Sequence, residues 1–276
     1  TKEKRGEILS IPRDTRVAME GKGYDKICHA YAFGGEPLTQ RTVEALLGTP
    51  VDYYLIADMQ AFAWAVDAIG GVDIEVEKRM YYEDPWDENG GLVIDLYPGR
   101  QHLDGAKAMA YVRYRDGEDD IGRMERQQKF LQAVLTKAAS PEMVPHLPEV
   151  VENLRKFLQT NMPLGEMVEM AALLPTLQAR GMKAALLPGR PGWWQDNSYW
   201  LPDIEATRTL LARQMGVAFT PSMKNAATKL AGRYQASLPD GLVDVEGTLR
   251  LAAEVTAARP LTPQEVRVRV LNESGI

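Results

Sequence analysis

Tyr111-Val-Arg-Tyr-Arg-Asp-Gly-Glu-Asp-Asp-Ile-Gly-Arg-Met-Glu-Arg-Gln-Gln128 is the stretch whose reading decides the fold. Its first part reads as extended. Arg113 and Arg115 are two apart, so on a strand both share a face with Tyr111, while Val112 and Tyr114 point the other way. After an acidic turn the apolar period changes. Ile121, Met124, Phe130, Leu131, Val134, Leu135 and Ala138 recur at helical spacing, which predicts a helix over 121–139. Asp119 or Asp120 is its candidate N-cap. Arg123, Arg126 and Gln127 then fall in the first two turns, on adjacent positions. A strand ending in two guanidiniums would thus feed a helix N-terminus carrying two more. Free N–H groups and the positive end of the helix dipole favour an anion there, and guanidiniums offer planar paired donors. The stretch reads as a site for a phosphate or pyrophosphate. The competing reading is a salt-bridged surface, because Asp116, Glu118, Asp119, Asp120 and Glu125 are interleaved with the arginines.

Working outward, helical and extended patterns alternate, which argues a layered α/β fold. Upstream, a strand at 8–11 is broken by Pro12-Arg13-Asp14-Thr15, a sensible place for a ligand contact at a sheet edge. A loop holding Gly21, Gly23, Asp25 and Lys26 follows. The spacing then predicts a helix over 37–47 with Thr39 as N-cap, a buried strand over 51–57, a helix over 59–69 stopped by Gly70-Gly71, and a strand over 72–76. Residues 80–95 are aromatic and acidic and read as irregular, a lid or a surface excursion; a short helix covers 106–110. Downstream come helices over 144–158 and 164–178, a strand over 182–187, an aromatic hairpin over 193–200 and a helix over 204–215. The hairpin either packs as a sheet edge or offers aromatic faces to glycan. Beyond 216 the pattern loosens, with helices at 225–234 and 245–258 and an alternating stretch at 266–271.

Composition limits the ligand. The chain has 276 residues and a net charge of −6, which is no footprint for duplex nucleic acid; the basic cluster must serve a small anion. His29, His102 and His146 have no zinc spacing and support no His-based triad. Cys28 stands alone, so there is no internal disulfide; it reads as a small buried residue. No run of eighteen apolar residues spans a bilayer. The chain opens almost at once on a strand and closes just after one, so both ends read as cuts within a longer protein.

Several segments, in order, resemble the LytR-CpsA-Psr family. They are Ile8-Leu-Ser-Ile-Pro-Arg-Asp-Thr15, Tyr24-Asp-Lys-Ile27, Val51-Asp-Tyr-Tyr54, Val66-Asp-Ala-Ile-Gly-Gly-Val72, Leu103-Asp-Gly105, Ala108-Met-Ala-Tyr-Val-Arg-Tyr-Arg115 and Asp120-Ile-Gly-Arg-Met-Glu-Arg-Gln127. The likeness is close over 8–140 and looser to 216. Val266-Arg-Val-Arg-Val-Leu-Asn272 is similar to the opening strand of a LytR C-terminal domain. The resemblance implies a catalytic domain at 1–216, a linker or partly helical region at 217–263, and the first strand of a truncated LytR C-terminal domain at 264–276. It implies an α/β/α sandwich around a mixed sheet, with a long apolar pocket for a polyprenyl chain.

The activity it implies is a phosphotransferase that moves a glycopolymer from a polyprenyl-pyrophosphate carrier to peptidoglycan, forming a phosphodiester. Its partners would be the polyprenyl-linked glycan, peptidoglycan, and the membrane through an N-terminal helix outside this chain, at the extracytoplasmic face. On matching positions, Arg13, Asp120 and Arg123 would be catalytic, with Asp120 holding the arginines. Arg13, Lys26, Arg113, Arg115, Arg123, Arg126 and Gln127 would bind the pyrophosphate. Mg²⁺ would be the cofactor, bridging the phosphates. Its aspartate ligands would lie upstream of Thr1, so no metal ligand is expected in this chain. The family usually has Asn-Ala where Cys28-His29 stand here. Two other readings share the site: a pyrophosphatase acting on polyprenyl pyrophosphate, and a non-catalytic carrier binder or regulator of the cell envelope.

Overall fold

The structure is a computed structural model that describes residues 6–87, 91–114, 120–181, 183–195 and 197–244, with backbone alone at 120, 121, 124 and 244. It divides into two compact units: Thr1–Ser10 with Val51–Ala185, and Ile11–Pro50 with Leu186–Ile276. Both mix helices with small sheets, as the α/β reading requires. Among the described residues no helix is long and apolar enough to cross a membrane.

The first unit is built on two antiparallel pairs. Val72–Val76 pairs with Gly99–Leu103, from Val72 opposite Leu103 to Val76 opposite Gly99. Val72, Ile74 and Val76 turn inward while Asp73 and Glu75 face water, the alternation expected of a half-buried strand. The second pair, Met80–Asp84 with Leu92–Leu96, corrects the expectation that 80–95 is irregular. Its inward side chains Met80, Ile94 and Leu96 are buried, each contributing roughly 1.5–3 kcal/mol. Exposed aromatic and acidic neighbours hide that period in the sequence. Strand Gly99–Leu103 is hidden for a related reason: Arg100, Gln101 and His102 leave Leu103 as its one large apolar residue.

Helices Met59–Ala68, Gly105–Arg113 and Asp120–Ala138 cover this core. Asp58 caps the first by accepting from the Ala61 amide (2.7 Å), and Asp104 caps the second by accepting from Lys107 (2.9 Å). Gly105 is where the first two meet: a Cβ there would lie 2.3 Å from the Ala63 carbonyl oxygen. Helices Leu147–Leu154 and Leu164–Ala179 close the unit over Ala138, Leu147 and Ala171. The buried strand expected over 51–57 is reduced to Leu55–Ile56, paired with Gln159–Thr160, and Tyr53 and Leu55 are exposed. Its partner offers only two residues. The Asn161 side chain takes over instead, accepting from the Tyr54 amide and donating to the Asp52 carbonyl.

In the second unit, the expected loop at 21–26 is part of a hairpin, Arg16–Met19 with Gly23–Lys26, turned on Gly21 and Gly23 at positive φ. Helix His29–Leu47 breaks at Gly34-Gly35, and Thr39 is no N-cap: its hydroxyl donates to the Gly35 carbonyl (2.9 Å). The aromatic hairpin is present as Gly189–Trp194 with Asn197–Pro202, and Thr15 bridges to its Trp200. Helix Ile204–Gln214 is capped by Asp203, and its Arg208 donates to the Ala45 carbonyl (2.8 Å) at the end of helix His29–Leu47. Helix Pro221–Ala236 packs on Ile204–Gln214. Its far end is tied to the first hairpin: Arg16 donates to the Ser237 carbonyl (2.6 Å) and stacks on Tyr24 and Tyr234. The helix expected at 245–258 and the strand at 266–271 lie outside the described residues.

Candidate functional site

The first unit corrects the reading of the deciding stretch. Residues 111–113 are not a strand; they are the last turn of helix Gly105–Arg113. Helix formers from Ala106 onward carry through, and the apolar positions Ala108, Tyr111 and Tyr114 recur every three residues, all buried. Tyr111 and Arg113 therefore lie on different sides. The Tyr111 hydroxyl donates to Glu77 (3.1 Å), and burial foremost, with the Glu77 charge and hydrogen bond, pushes its pKa far up, so it stays neutral. Arg113 turns outward and pairs with Asp87 (2.6 Å).

The helix expected over 121–139 is found at Asp120–Ala138. Arg123 and Arg126 lie one turn apart in it and both are buried. Arg126 donates to the Tyr114 carbonyl (2.8 Å) and its guanidinium lies 5.5 Å from the Tyr114 ring centroid. The Gln127 amide donates to the Val112 carbonyl (3.3 Å). Arg113, Arg126 and Gln127 thus gather at the C-terminal end of helix Gly105–Arg113, where unpaired carbonyls need donors. Arg123 occupies the first turn of its helix, where the dipole opposes a cation by roughly 0.3–1 kcal/mol. Arg115 and the side chain of Asp120 lie outside the described residues.

The second unit carries Arg13 and Lys26. Residues 12–15 form a turn fixed by the buried Thr15, whose hydroxyl donates to the Pro12 carbonyl (2.6 Å). The Cys28 amide donates to the Arg13 carbonyl (3.1 Å), and the Trp200 amide to that of Asp14 (2.9 Å). The backbone of Arg13 is held while its side chain stays 59% exposed, with a loose pair to Asp14 at 3.8 Å. Lys26 pairs with the same carboxylate (3.2 Å) and lies 5.2 Å from the Tyr199 ring centroid. Asp25 pairs with His29 (2.9 Å) and accepts from the Lys26 amide (2.7 Å). Burial raises the Asp25 pKa, but the His29 and Lys26 hydrogen bonds and charges outweigh it and hold the carboxyl below its usual value. Sequence reasoning missed Asp14, Asp87 and the Asp25–His29 pair as partners. Asp14 was within reach, since it sits beside Arg13 in a quoted motif.

These residues do not make a metal centre. Among the described residues no three His, Cys, Asp or Glu side chains lie together that could hold an ion. Asp14 and Asp87 are each committed to a cation, and Asp25 to the His29 ring. Among the described residues, the side chains present do not fit Mg²⁺.

The profile of the LytR_cpsA_psr family matches residues 1–215. The chain is 35% identical over 178 residues to the polyisoprenyl-teichoic acid–peptidoglycan teichoic acid transferase TagT of Bacillus subtilis (strain 168), across 64% of this chain and 55% of that protein. It is 38% identical over 167 residues to the transferase of the same description, TagU, of Bacillus mycoides (strain KBAB4), across 59% and 52%. The chain spans about half the length of the curated relatives it matches. Among solved structures, B. subtilis TagV superposes with a TM-score of 0.67 at 27% identity, over 79% of this chain and 86% of that one. TagT bound to LI-WTA superposes with a TM-score of 0.63 at 31% identity, over 78% and 81%.

Proposed function

The chain belongs to the LytR-CpsA-Psr family, and from that premise we propose that it serves a phosphotransferase joining a glycopolymer, carried on polyprenyl pyrophosphate, to peptidoglycan. The observation that carries this reading is the burial of Arg123 and Arg126 within one turn near a helix N-terminus, with Arg113 and Gln127 at the adjoining helix end. A helix N-terminus and the guanidiniums beside it both attract an anion, and the guanidiniums offer it paired donors. Relatives named as polyisoprenyl-teichoic acid–peptidoglycan teichoic acid transferases support a polyisoprenyl-linked glycan as the donor, and the family resemblance implies a pyrophosphate as the anion it presents. Arg13, Lys26 and Arg115 join the same role on their match to the family motifs, with Asp120 positioning the arginines.

The reaction is a displacement at phosphorus. A peptidoglycan hydroxyl oxygen attacks the phosphorus that bears the glycan, and the bond to the bridging oxygen breaks. Polyprenyl phosphate leaves with the bond's electron pair, and the hydroxyl proton passes to solvent or to a base. The guanidiniums hold the phosphate oxygens and stabilise charge on the leaving phosphate. Their forked donors pair with two oxygens at once, which a lysine cannot do. An apolar pocket would hold the polyprenyl tail at roughly 0.8 kcal/mol per buried methylene. Mg²⁺ would be held by groups outside the described residues. The site belongs at the extracytoplasmic face, on a protein held to the membrane outside this chain. Residues 217–263 link it to a LytR C-terminal segment at 264–276.

The test uses the whole protein, a polyprenyl-pyrophosphate-linked glycan as donor and peptidoglycan oligomers as acceptor. The expected product is glycan joined to peptidoglycan by a phosphodiester, read by mass, with one polyprenyl phosphate released per linkage. Release at the same rate without acceptor would make it a hydrolase. Tight donor binding with no release at any acceptor concentration would make it a carrier-binding regulator.

A further inference from the structure

The hairpin Met80–Asp84 with Leu92–Leu96 carries a second organised surface. Its inward residues serve the core. The odd-numbered residues turn the other way: Tyr81 and Glu83 on one strand, Val93 and Asp95 on the other, with Arg79 and Tyr97 just beyond the paired ends. Tyr81 stands opposite Asp95, and Glu83 opposite Val93. Tyr81, Val93 and Tyr97 are all more than half exposed.

Arg79 orders this face. Its Nη1 donates to the Met80 and Leu96 carbonyls, both at 3.0 Å, and its guanidinium pairs with Asp95. The guanidinium carbon lies 4.0 Å from the Tyr97 ring centroid and 5.4 Å from that of Tyr81. The Tyr81 hydroxyl donates to Glu83. Both rings and both carboxylates are therefore in place before any ligand arrives. Ordering exposed side chains costs entropy, and the same ordering lowers the cost of binding a partner.

We infer that this face docks an uncharged glycan strand, the acceptor polymer of the reaction proposed above, on which the inference rests. Tyrosine rings offer flat apolar faces with a polar rim, matched to a sugar ring's C–H face and its hydroxyls. Glu83 and Asp95 keep lone pairs beyond those already used, and a carboxylate only accepts, so they suit hydroxyl donors. Charge selects among occupants. Two carboxylates against one guanidinium repel an anionic polymer or an anionic lipid surface. Carrying ionised carboxylates into lipid is costly as well. A stable protein interface needs some 20–30 residues a side, roughly, far more than this face supplies.

The test titrates chitohexaose, an uncharged N-acetylglucosamine hexamer, into the whole protein by calorimetry. Peptidoglycan stripped of anionic polymers is co-sedimented in parallel. The unaltered protein binds both. Tyr81→Ala with Tyr97→Ala weakens binding by about tenfold, whereas Tyr81→Phe with Tyr97→Phe stays within about threefold. The phenylalanine pair thereby separates lost stacking from lost folding. Absence of chitohexaose binding by the unaltered protein overturns the inference. So does equal binding by the alanine pair, or ring-dependent binding to anionic phospholipid vesicles in place of glycan. The titration needs no turnover. Ring-dependent glycan binding in a protein that transfers nothing would therefore sink the transferase reading and leave this surface standing. Full transfer by the alanine pair with an unchanged acceptor KM would sink the surface alone.

Discussion

Tyr234→Phe probes how the helix beyond the family match is held to the second unit. Tyr234 is 7% exposed, and its hydroxyl is buried with no hydrogen-bond partner of good geometry among the described residues. Its ring meets Tyr24 edge-on, centroids 5.9 Å apart, and lies 5.6 Å from the Arg16 guanidinium carbon. Phenylalanine keeps both contacts and removes only the hydroxyl. A buried, unpartnered polar group costs about 1–3 kcal/mol, so the variant is expected to be more stable by about 1 kcal/mol at neutral pH. Alkali supplies a second signature. Burial pushes the Tyr234 hydroxyl up to about 12 from 10.0, against weaker opposing effects of the Arg16 charge, of the poorly aligned approach of Arg16 to the hydroxyl, and of the Arg190 charge. The folded state then holds the proton more tightly than the unfolded one. The associated stability is complete below pH 10 and is lost as pH climbs from 10 through 12, about 2–3 kcal/mol in all. Tyr111, in the other unit, shifts the same way, so the quantity to read is the difference between the two proteins. Urea titrations at pH 7 and near pH 11, followed by circular dichroism, provide it. A variant less stable than the unaltered protein at pH 7, or one with the same alkaline loss, would refute the reasoning.

Gly105→Ala places a methyl 2.3 Å from the Ala63 carbonyl oxygen and should lower stability by about 1–3 kcal/mol in urea; an unchanged midpoint would contradict the close helix contact. Arg13→Ala should leave thermal stability within about 0.5 kcal/mol, because the side chain is exposed and its ion pair is long. In the transfer assay it should raise the donor KM about tenfold or more, the worth of a charged hydrogen bond. Asp87→Ala removes the partner of Arg113 and should cost about 1–2 kcal/mol of stability, with weaker donor binding as Arg113 loses its fixed position. Asp25 has its folded pKa lowered, so its contribution is present above an ordinary carboxylate pKa near 3.8 and is lost as pH falls through the lower folded value. His29→Ala should shrink that acid-side loss in a pH-dependent unfolding series.

Where local physics repeats, the chain announces its structure. Helix Asp120–Ala138 is legible because its apolar stripe recurs over five turns, and Val72–Val76 because it alternates without a break. The hairpin over 189–202 shows through its dense aromatic run. Residues 111–113 are ambiguous, since three positions satisfy extended and helical patterns alike. Only the packing of Tyr111 and Tyr114 into the core selects the helix. The hairpin at 16–26 is obscured because each strand has only four residues, and that at 80–96 because its outward Tyr81, Glu83, Val93 and Asp95 mix aromatic, acidic and apolar types.

The same division runs through the site. Sequence by itself determined which residues were candidates, with Arg123, Arg126 and Gln127 in two helical turns and Arg13 in a Pro-Arg-Asp turn, because spacing along one element needs no partner. Tertiary structure decided what each group touches. Arg113 meets a carboxylate 26 residues away, Arg126 holds the Tyr114 carbonyl, and Lys26 shares Asp14 with Arg13. Periodicity and capping act over a few residues and can be read in order along the chain. Ion pairs and buried hydrogen bonds form only between groups that folding brings within about 3 Å, and their strength depends on how much water the surrounding packing excludes.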